Sequence, residues 1–276
     1  MNVLFKCDKS NYIGLGHYYR CLALADVFKK KGHKCFFLGL KPGIQKKNIL
    51  NFKEQEKDIK FTNNFIKKKK IQIVIKDIYS LKSKWEKKIS KNVFLVIIDD
   101  YNNKKHYCHL YINYHYNLFK KLNSNLLLKK NCKKLIGPKF TILRDFKIIK
   151  EKKNKIQKIF IYMGGADKKL FMLKIMRLLK HKKFDKYKKL FLLNNNHIKR
   201  NEFKILSKKL INKKILKNKI KNFHQYLHSS DLVITSAGLT MYEQIALNSN
   251  SLVISQNNAQ KKILSNLAKK KNSKFY

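Results

Sequence analysis

The chain has 276 residues, 44% of them hydrophobic, which is enough for one large α/β domain or two smaller ones. Its formal net charge of +49 is typical of a nucleic-acid-binding protein. However, only four of its 65 basic residues are arginines, whose planar fork reads phosphate and guanine, and the lysines are spread along the whole chain. The composition therefore favours lysines that cover solvated faces over a specific nucleic-acid interface.

Cysteine usage and the amino terminus indicate a reducing compartment. The five cysteines are an odd number and form no CxxC pair, so the sequence predicts neither a disulfide framework nor a zinc site. The first residues lack the pattern of a signal peptide, and no apolar run approaches membrane-spanning length. We therefore expect a cytoplasmic protein without a membrane span.

The first half of the chain alternates short apolar runs with lysine-rich helical stretches. Strands are predicted at "NVLFKC", "KCFFLGL", "IQIVIKD" and "NVFLVIIDD". Between the first two, "YRCLALADVFKKKGH" has apolar residues at helical spacing, with Gly32 placed to end the helix. Several strands are continuous apolar runs, a pattern typical of parallel strands that are covered on both faces.

The second half repeats this alternation after the charged stretch "IIKEKKNKIQK" around residues 148–158. Strands are predicted at "KIFIYMGG", "KLFLLNNN", "LVITSAG" and "SLVIS", and a helix from Leu239 to Leu247. The sequence therefore predicts two doubly wound, Rossmann-like α/β domains, one over residues 1–150 and one over residues 151–276.

The stretch "YIGLGHYYRC" lies between the first predicted strand and the first predicted helix, where open α/β sheets bind ligands. It lacks the third glycine of a dinucleotide fingerprint, and the chain has no GxxxxGK[ST] loop, so NAD and ATP binding are disfavoured. What remains is a turn framed by Gly14 and Gly16 that places His17 at a helix start. That position disfavours the imidazolium form and suits a catalytic base, although a structural histidine fits the pattern equally well.

The second half carries two further glycine turns. "IYMGGAD" places Gly164 and Gly165 between a strand and a helix, where exposed backbone N–H groups suit phosphate oxygens. "SAGLTMYEQIAL" places Gly238 after a strand and Glu243 on the following helix, where a carboxylate can accept both hydroxyl groups of a ribose. Each feature alone fits an ordinary turn or a surface glutamate, and together they indicate a nucleotide site.

These residues carry a resemblance to a known family. The opening pattern DxSxxIGxGHxxRCLxLA is followed in order by "KDIY", "IDDY", "IGPKFTILRDF", "MGGAD" and "SAGLTMYEQ". In this order the sequence resembles the UDP-sugar hydrolases of pseudaminic acid biosynthesis, which act on UDP-2,4-diacetamido-2,4,6-trideoxy-β-L-altropyranose. It is more distantly similar to the peptidoglycan N-acetylglucosaminyltransferases, which share a two-domain nucleotide-sugar fold, the glycosyltransferase B fold.

The resemblance implies roles for particular residues. His17 would activate the water that attacks the anomeric carbon, and Tyr79 would line the sugar site. Gly14, Gly16 and Arg20 belong to the same opening motif and would bind the substrate.

The nucleotide would be held in the second domain. The resemblance assigns UDP to Gly164, Gly165, Gly238 and Glu243. A late asparagine of the family corresponds to Asn257 or, in a second register, to Asn258. At position 109 the chain has histidine where the family usually has aspartate.

The implied reaction is water attack at C1, with C–O cleavage and inversion, on a UDP-sugar bound between the two domains. Helix-start N–H groups and lysines can stabilise the departing diphosphate, and no ligand cluster at metal spacing is found, so no metal or other cofactor is expected. Two alternatives stay open. One is a glycosyltransferase of the same fold, and the other is a basic nucleic-acid-binding protein, which would bind duplexes in a salt-sensitive way and ignore UDP.

Overall fold

The computed structural model describes residues 1–7, 16–44, 50–101, 103–115, 126–145, 155–165, 167, 169–193, 200–216, 220 and 223–268. It divides into two compact units. Unit 1 comprises the described residues of Met1–Lys9 and His17–Arg144, and unit 2 those of Ser10–Gly16 and Asp145–Tyr276. The sequence places the domain boundary after residue 150, in a stretch that lies outside the described residues.

Unit 1 contains a six-stranded parallel sheet in the order β2-β1-β3-β4-β5-β6. Its strands are β1 (Asn2–Cys7), β2 (Lys34–Leu38), β3 (Ile73–Asp77), β4 (Phe94–Ile98), β5 (Leu110–Asn113) and β6 (Lys133–Ile136). Its α-helices are α1 (Gly16–Lys30), α2 (Phe52–Lys68) and α3 (Ser83–Ile89).

Local sequence signals explain the helix ends of this unit. Gly32, at φ 77°, adopts the left-handed conformation that follows α1. Asn51 and Glu54 form a reciprocal capping box at the start of α2, each accepting from the backbone N–H of the other. The first helix therefore ends where its sequence predicts, and the capping box explains where α2 begins.

Three lysines do not lie on solvated faces as the composition led us to expect. Lys6 in β1 and Lys76 in β3 are 0% and 3% exposed, and Lys189 in unit 2 is 0% exposed. Lys6 Nζ lies 2.9 Å from an Asp58 oxygen, and Lys76 Nζ lies 2.6 Å from Glu86, so an acidic residue on a neighbouring helix compensates each of these two charges. Lys189 Nζ donates to the Ile211 carbonyl at 2.9 Å.

Unit 2 contains a five-stranded parallel sheet in the order β11-β10-β7-β8-β9. Its strands are β7 (Lys158–Tyr162), β8 (Lys188–Leu192), β9 (Lys213–Leu216), β10 (Leu232–Ser236) and β11 (Ser251–Ile254). Its α-helices are α4 (Phe171–Leu179), α5 (Arg200–Lys208), α6 (Phe223–Ser229), α7 (Leu239–Ala246) and α8 (Asn258–Ala268). The predicted class of two doubly wound α/β domains is confirmed by the two sheets.

Each sheet has one point where the strand order reverses. In unit 1 the chain moves outward from β1 to β2 and then returns to β3 on the other side of β1. In unit 2 it moves outward from β7 through β8 to β9 and returns to β10 beside β7. Ligands of open α/β sheets bind at the carboxyl ends of the strands that flank such a switch point.

Two further features bear on function. None of the helices in the described parts of the chain combines the length and apolar character needed to cross a bilayer. Within those same parts, no group of three or more histidine, cysteine, aspartate or glutamate side chains is arranged to hold a metal ion.

Candidate active site

The switch point of unit 1 brings together polar side chains from four neighbouring strands. His17 lies in the first turn of α1, which follows β1, and Asp77 is the last residue of β3. Asp100 follows β4, and Tyr114 and His115 follow β5. Because these parallel strands end at the same edge of the sheet, their terminal residues meet there.

His17 and Asp77 form the centre of this cluster. His17 Nδ1 lies 2.7 Å from Asp77 Oδ1, and the carboxylate is fully buried while the imidazole is 13% exposed. Arg20 Nη2 also lies 2.9 Å from Nδ1, but it donates to the same Asp77 oxygen at 2.5 Å. An ionised carboxylate can only accept a hydrogen bond, so the tautomer with the proton on Nδ1 satisfies the contact with Asp77. In this tautomer the imidazole lone pair lies on Nε2, the nitrogen that a base needs.

Arg20 lies one helical turn after His17 and is buried, with 3% of its side chain exposed. Its Nε and Nη2 donate to the two oxygens of Asp77 at 2.6 and 2.5 Å. Its Nη1 donates to Asp100 Oδ1 at 2.7 Å and to the Tyr114 hydroxyl at 2.5 Å. These contacts fix the orientation of both carboxylates.

Burial opposes ionisation of the two carboxylates, but their partners outweigh it. Arg20 and His17 hold the pKa of Asp77 below its ordinary value. Arg20 and His115 hold the pKa of Asp100 well below its ordinary value, and His115 Nε2 lies 3.1 Å from Asp100 Oδ1. Both aspartates are therefore ionised at neutral pH, and Arg20 neutralises one of the two negative charges.

Tyr79 follows β3 and completes the wall beside His17. The two rings meet edge to face with their centroids 4.7 Å apart, and the Tyr79 hydroxyl donates to Asp100 Oδ2. Burial and the neighbouring Asp100 raise the pKa of Tyr79 well above its ordinary value, so the phenol keeps its proton. His17 and Tyr79 are thus in direct contact.

The glycines of the opening motif divide into two cases. Gly14 lies outside the described residues. Gly16 is the first residue of α1 and is exposed, and a Cβ built there would meet no atom within 4 Å. The described structure therefore gives no steric reason for glycine at position 16.

The switch point of unit 2 is built from backbone rather than from ion pairs. Gly164 follows β7 at φ 77°, and a Cβ there would lie 3.1 Å from the Ser236 hydroxyl at the end of β10. Gly165 continues this turn, and Gly238 follows β10 as the residue before α7, without a side-chain cap on that helix. Gly164 is therefore required both for its left-handed conformation and for the close approach of β10.

The two helix starts at this edge differ. Asp167 accepts hydrogen bonds from the N–H groups of Phe171 and Met172, at 2.9 and 2.8 Å, and so caps α4 with a carboxylate. That arrangement disagrees with the expectation that the helix after Gly164 and Gly165 offers exposed N–H groups to a phosphate. The start of α7, which follows Gly238, carries no such carboxylate cap.

Glu243 lies on α7 and is fully buried, with its Oε1 3.1 Å from His224 Nε2 on α6. Asn257 is exposed immediately before α8, and its Oδ1 accepts from Gln260 N at 2.9 Å, which is the geometry of a helix cap. Asn258 is the exposed first residue of α8.

His109, where the resembled family usually has aspartate, lies at the amino end of β5. Its Nδ1 accepts from Leu95 N at 3.0 Å, and its ring stacks on Phe94. The departure therefore falls at the edge of the sheet opposite His17 and Asp77.

Sequence reasoning did not assign a site role to Asp77, Asp100, Tyr114, His115 or His224. Four of them share one signal, because each is a polar residue at the carboxyl end of a buried strand. His224 has no comparable signal, since it lies on a short amphipathic helix.

Comparisons with known proteins bear on the family and the fold of the chain. No family model matches the sequence. The chain is 30% identical, over 181 residues, to UDP-2,4-diacetamido-2,4,6-trideoxy-beta-L-altropyranose hydrolase of Campylobacter jejuni, a match that covers 63% of this chain and 64% of that protein. It is 29% identical to an uncharacterised protein of Methanocaldococcus jannaschii over 98% of this chain and 59% of that one. The chain thus spans less than two thirds of either relative.

Solved structures show the fold. The spinosyn rhamnosyltransferase SpnG, complexed with thymidine diphosphate, superposes with a TM-score of 0.63 at 10% identity, over 97% of this chain and 84% of that one. MurG of Acinetobacter baumannii superposes with a TM-score of 0.53 at 11% identity, over 96% of this chain and 90% of that one. UDP-GlcNAc 2-epimerase of Neisseria meningitidis, bound to UDP-GlcNAc, superposes with a TM-score of 0.52 at 12% identity, over 96% of this chain and 85% of that one. The chain has the glycosyltransferase B fold, as the sequence predicts.

Proposed function

We propose that the protein is a nucleotide-sugar hydrolase that releases UDP from UDP-2,4-diacetamido-2,4,6-trideoxy-β-L-altropyranose in pseudaminic acid biosynthesis. The observation that carries the proposal is the His17–Asp77 pair at the switch point of unit 1, which leaves a basic imidazole nitrogen at a sheet edge where ligands bind. The match to the Campylobacter jejuni hydrolase supports the choice of substrate.

The proposed reaction begins with a water molecule held by His17 Nε2. His17 takes a proton from this water as its oxygen attacks the anomeric carbon, and the C–O bond to UDP breaks on the opposite face of the sugar. Asp77 holds the imidazole in the required tautomer and stabilises the imidazolium that forms, as a carboxylate does in a Ser-His-Asp triad. Arg20 acts through Asp77 as a positioning residue, because it is buried and donates to both oxygens of that carboxylate.

The nucleotide is proposed to bind at the switch point of unit 2. The Gly164–Gly165 turn allows a close approach of backbone to the diphosphate, and the start of α7 after Gly238 offers uncapped N–H groups and the positive end of a helix dipole. Glu243 is proposed to accept the ribose hydroxyls, and Asn257 to contact the sugar. The N–H groups of the glycine turn and of the start of α7 would stabilise the negative charge that develops on departing UDP.

The decisive experiment uses the purified chain and the UDP-sugar in water labelled with oxygen-18. We expect UDP and free sugar as products, with the label in the sugar at C1 and none in UDP, because C–O cleavage leaves the bridging oxygen on the nucleotide. Label in UDP would show attack at phosphorus and would contradict the mechanism. The proposed function would be contradicted if the unaltered chain released no UDP and so could not be distinguished from the His17→Asn variant.

A glycosyltransferase is the second candidate, because the structural neighbours include glycosyltransferases. It predicts that UDP release depends on an added acceptor alcohol and that the sugar appears on the acceptor. Product analysis with and without acceptors in the same assay separates the two functions.

A further inference from the structure

Two of the five cysteines are in contact at the amino edge of the unit 1 sheet, the edge opposite His17. Cys108 Sγ and Cys132 Sγ are 3.5 Å apart, and both residues are buried. Cys108 lies shortly before β5, and Cys132 is the residue immediately before β6. The reaction proposed for His17 uses neither thiol.

The pairing of β5 with β6 holds these two thiols together. Leu110 pairs with Lys133 in the parallel ladder, and the Lys133 N–H donates to the His109 carbonyl at 2.9 Å. Paired strands lie about 4.8 Å apart, and a disulfide joins residues whose Cα atoms are about 4.4–6.8 Å apart. A bond between the two sulfur atoms therefore needs side-chain rotation rather than a rearrangement of the sheet.

The surroundings of the pair make Cys132 the more acidic thiol. A hydrogen bond from Cys108 lowers the pKa of Cys132. Burial opposes this shift, whereas nearby basic side chains add to it, namely Lys134, His106 and Lys129. The same hydrogen bond, together with burial, raises the pKa of Cys108. Cys132 is therefore the thiol that ionises first, and Cys108 keeps its proton.

Cys132 also lies closer to solvent than its partner. Its residue is 8% exposed and Cys108 is fully buried. The residues on either side of Cys132, Asn131 and Lys133, are exposed, and β6 is the last strand in the order of the sheet. A small oxidant can therefore reach Cys132 first, while the second thiol is already in contact with it.

The other three cysteines differ from Cys132 in charge or in partner. Cys21 is hydrogen-bonded to Cys7, and its Sγ lies 3.7 Å from Asp77 Oδ2. That hydrogen bond, burial and the carboxylate all raise the pKa of Cys21 well above its ordinary value. Cys35 is the least buried of the five, but burial raises its pKa as well. Cys132 is thus the thiol that combines a second thiol in contact with surroundings that favour the thiolate.

We propose that Cys108 and Cys132 form an oxidation site, at which a hydroperoxide converts the two thiols into a reversible disulfide. The Cys132 sulfur attacks one peroxide oxygen, the O–O bond breaks, and Cys132 becomes a sulfenic acid while the other oxygen leaves as hydroxide. The Cys108 sulfur then attacks the Cys132 sulfur, the S–O bond breaks, and the hydroxyl group leaves as water with the Cys108 proton. With hydrogen peroxide, the proton that Cys132 lost on ionisation converts the hydroxide into a second water. Two thiols thus lose two electrons, and one peroxide gains them.

The test treats the reduced full chain with a small molar excess of hydrogen peroxide at neutral pH. Remaining thiols are then alkylated, and the digested chain is analysed by mass spectrometry. We expect a disulfide that joins the peptides of Cys108 and Cys132, with Cys7, Cys21 and Cys35 recovered as alkylated thiols, and we expect dithiothreitol to reverse it. The Cys7–Cys21 pair is the matched control, because it is an equally buried pair beside a carboxylate. Its equally fast oxidation, faster oxidation of Cys35, or the absence of the linked peptide would overturn the proposal.

Single variants test the order of the two steps. In Cys108→Ser the sulfenic acid has no resolving thiol, so dimedone, which traps sulfenic acids, should label Cys132. In Cys132→Ser, Cys108 should stay unlabelled, and label on Cys108 would overturn the assignment of the attacking thiol. Cys35→Ser should form the disulfide at the rate of the unaltered chain. Melting followed by Trp85 fluorescence confirms that each variant is folded, and the result on the unaltered chain stands without them.

Discussion

The two switch points of the molecule are built on opposite principles. In unit 1 the strand ends carry charged side chains that bind one another, with Arg20 between Asp77 and Asp100. In unit 2 the strand ends carry the glycines Gly164 and Gly238, and the principal buried charge is Glu243, paired with His224. The comparison shows how one sheet architecture can serve either to orient a reactive side chain or to present bare backbone.

The difference between the two sites follows from the role that is proposed for each. A base has to keep its tautomer and direction, and the proposed base His17 is held by a carboxylate that Arg20 itself holds. An anion held by backbone N–H groups needs close approach and no competing carboxylate, which Gly164 permits and which the uncapped start of α7 offers. Substitutions at the two sites should therefore affect different measurements.

The largest effect is expected from His17→Asn, which removes the base and leaves the unit 2 site unaltered. Turnover of the UDP-sugar should fall by about two to four powers of ten, while UDP affinity stays unchanged. Single-turnover hydrolysis and calorimetry with UDP measure the two quantities. His181→Asn, at an exposed position in unit 2, is the control and should keep normal turnover. Near-normal turnover in folded His17→Asn, together with a lower melting temperature, would mean that the histidine is structural.

Glu243→Ala should lower the affinity for UDP, the quantity that His17→Asn leaves unchanged. The loss of charge-assisted hydrogen bonds to a ribose predicts a cost of about 1.5–3 kcal/mol, which is about 10- to 150-fold in Kd. Calorimetry with UDP measures it, and Glu243→Gln, which keeps the side-chain volume, guards against a folding defect. Glu202→Ala is the matched control, because that carboxylate pairs with Arg177 at the surface. Unchanged UDP affinity in both Glu243 variants would contradict the placement of the nucleotide.

Acid should destabilise unit 1 through its buried carboxylates. Burial opposes ionisation of Asp99, but the nearby His106 imidazole and the Tyr111 hydroxyl lower its pKa to about 2. A lowered pKa contributes stability that is fully present above the ordinary value of 3.8 and is lost as the pH falls through about 2. For Asp99, which is 3% exposed, this contribution is about 2 kcal/mol.

The fluorescence of Trp85 measures this loss, since it is the single tryptophan of the chain and lies buried in unit 1. Urea unfolding of the unaltered chain and of Asp99→Asn should show a stability difference that narrows between pH 3.8 and about pH 2. A difference that is constant over this range would contradict the assignment.

The smallest effect is expected on the free energy of unfolding, from alanine substitution of one glycine in each unit. Gly32 and Gly164 both have φ 77°, but a Cβ at Gly32 meets nothing within 4 Å, whereas one at Gly164 lies 3.1 Å from Ser236 Oγ. Alanine should cost about 1 kcal/mol at either position for the left-handed backbone, and about 1 kcal/mol more at Gly164 for the contact. Chemical unfolding followed by circular dichroism measures the difference. Equal costs would show that β7 and β10 tolerate a side chain at the turn.

Much of the fold could be predicted because most strands are continuous apolar runs. The strands that the sequence did not reveal are β5, β6 and β9, each of four residues. β6 and β9 both begin with two lysines, and β5 is interrupted by a tyrosine and ends in an asparagine, so none has a long apolar run. Their strand conformation comes from pairing with a neighbour that is already in place.

The candidate site was only partly predictable. His17 and Tyr79 were identified from sequence motifs, whereas the role of Arg20 depends on burial against Asp77, Asp100 and Tyr114. These partners lie 57, 80 and 94 residues further along the chain. No local pattern reports such contacts, because they arise only when four parallel strands align their ends.

Asp231 has a consequence for the order in which unit 2 forms. Its carboxylate joins the residue before β10 to the backbone of Gln157 and Lys158, 74 and 73 residues earlier. During synthesis, β10 is therefore translated only after most of the second half of the chain, long after its neighbour β7. Contacts so distant in sequence form slowly. A nascent chain that stops before residue 231 should expose β7 to proteases, whereas β1 of unit 1 finds both of its neighbours by residue 77.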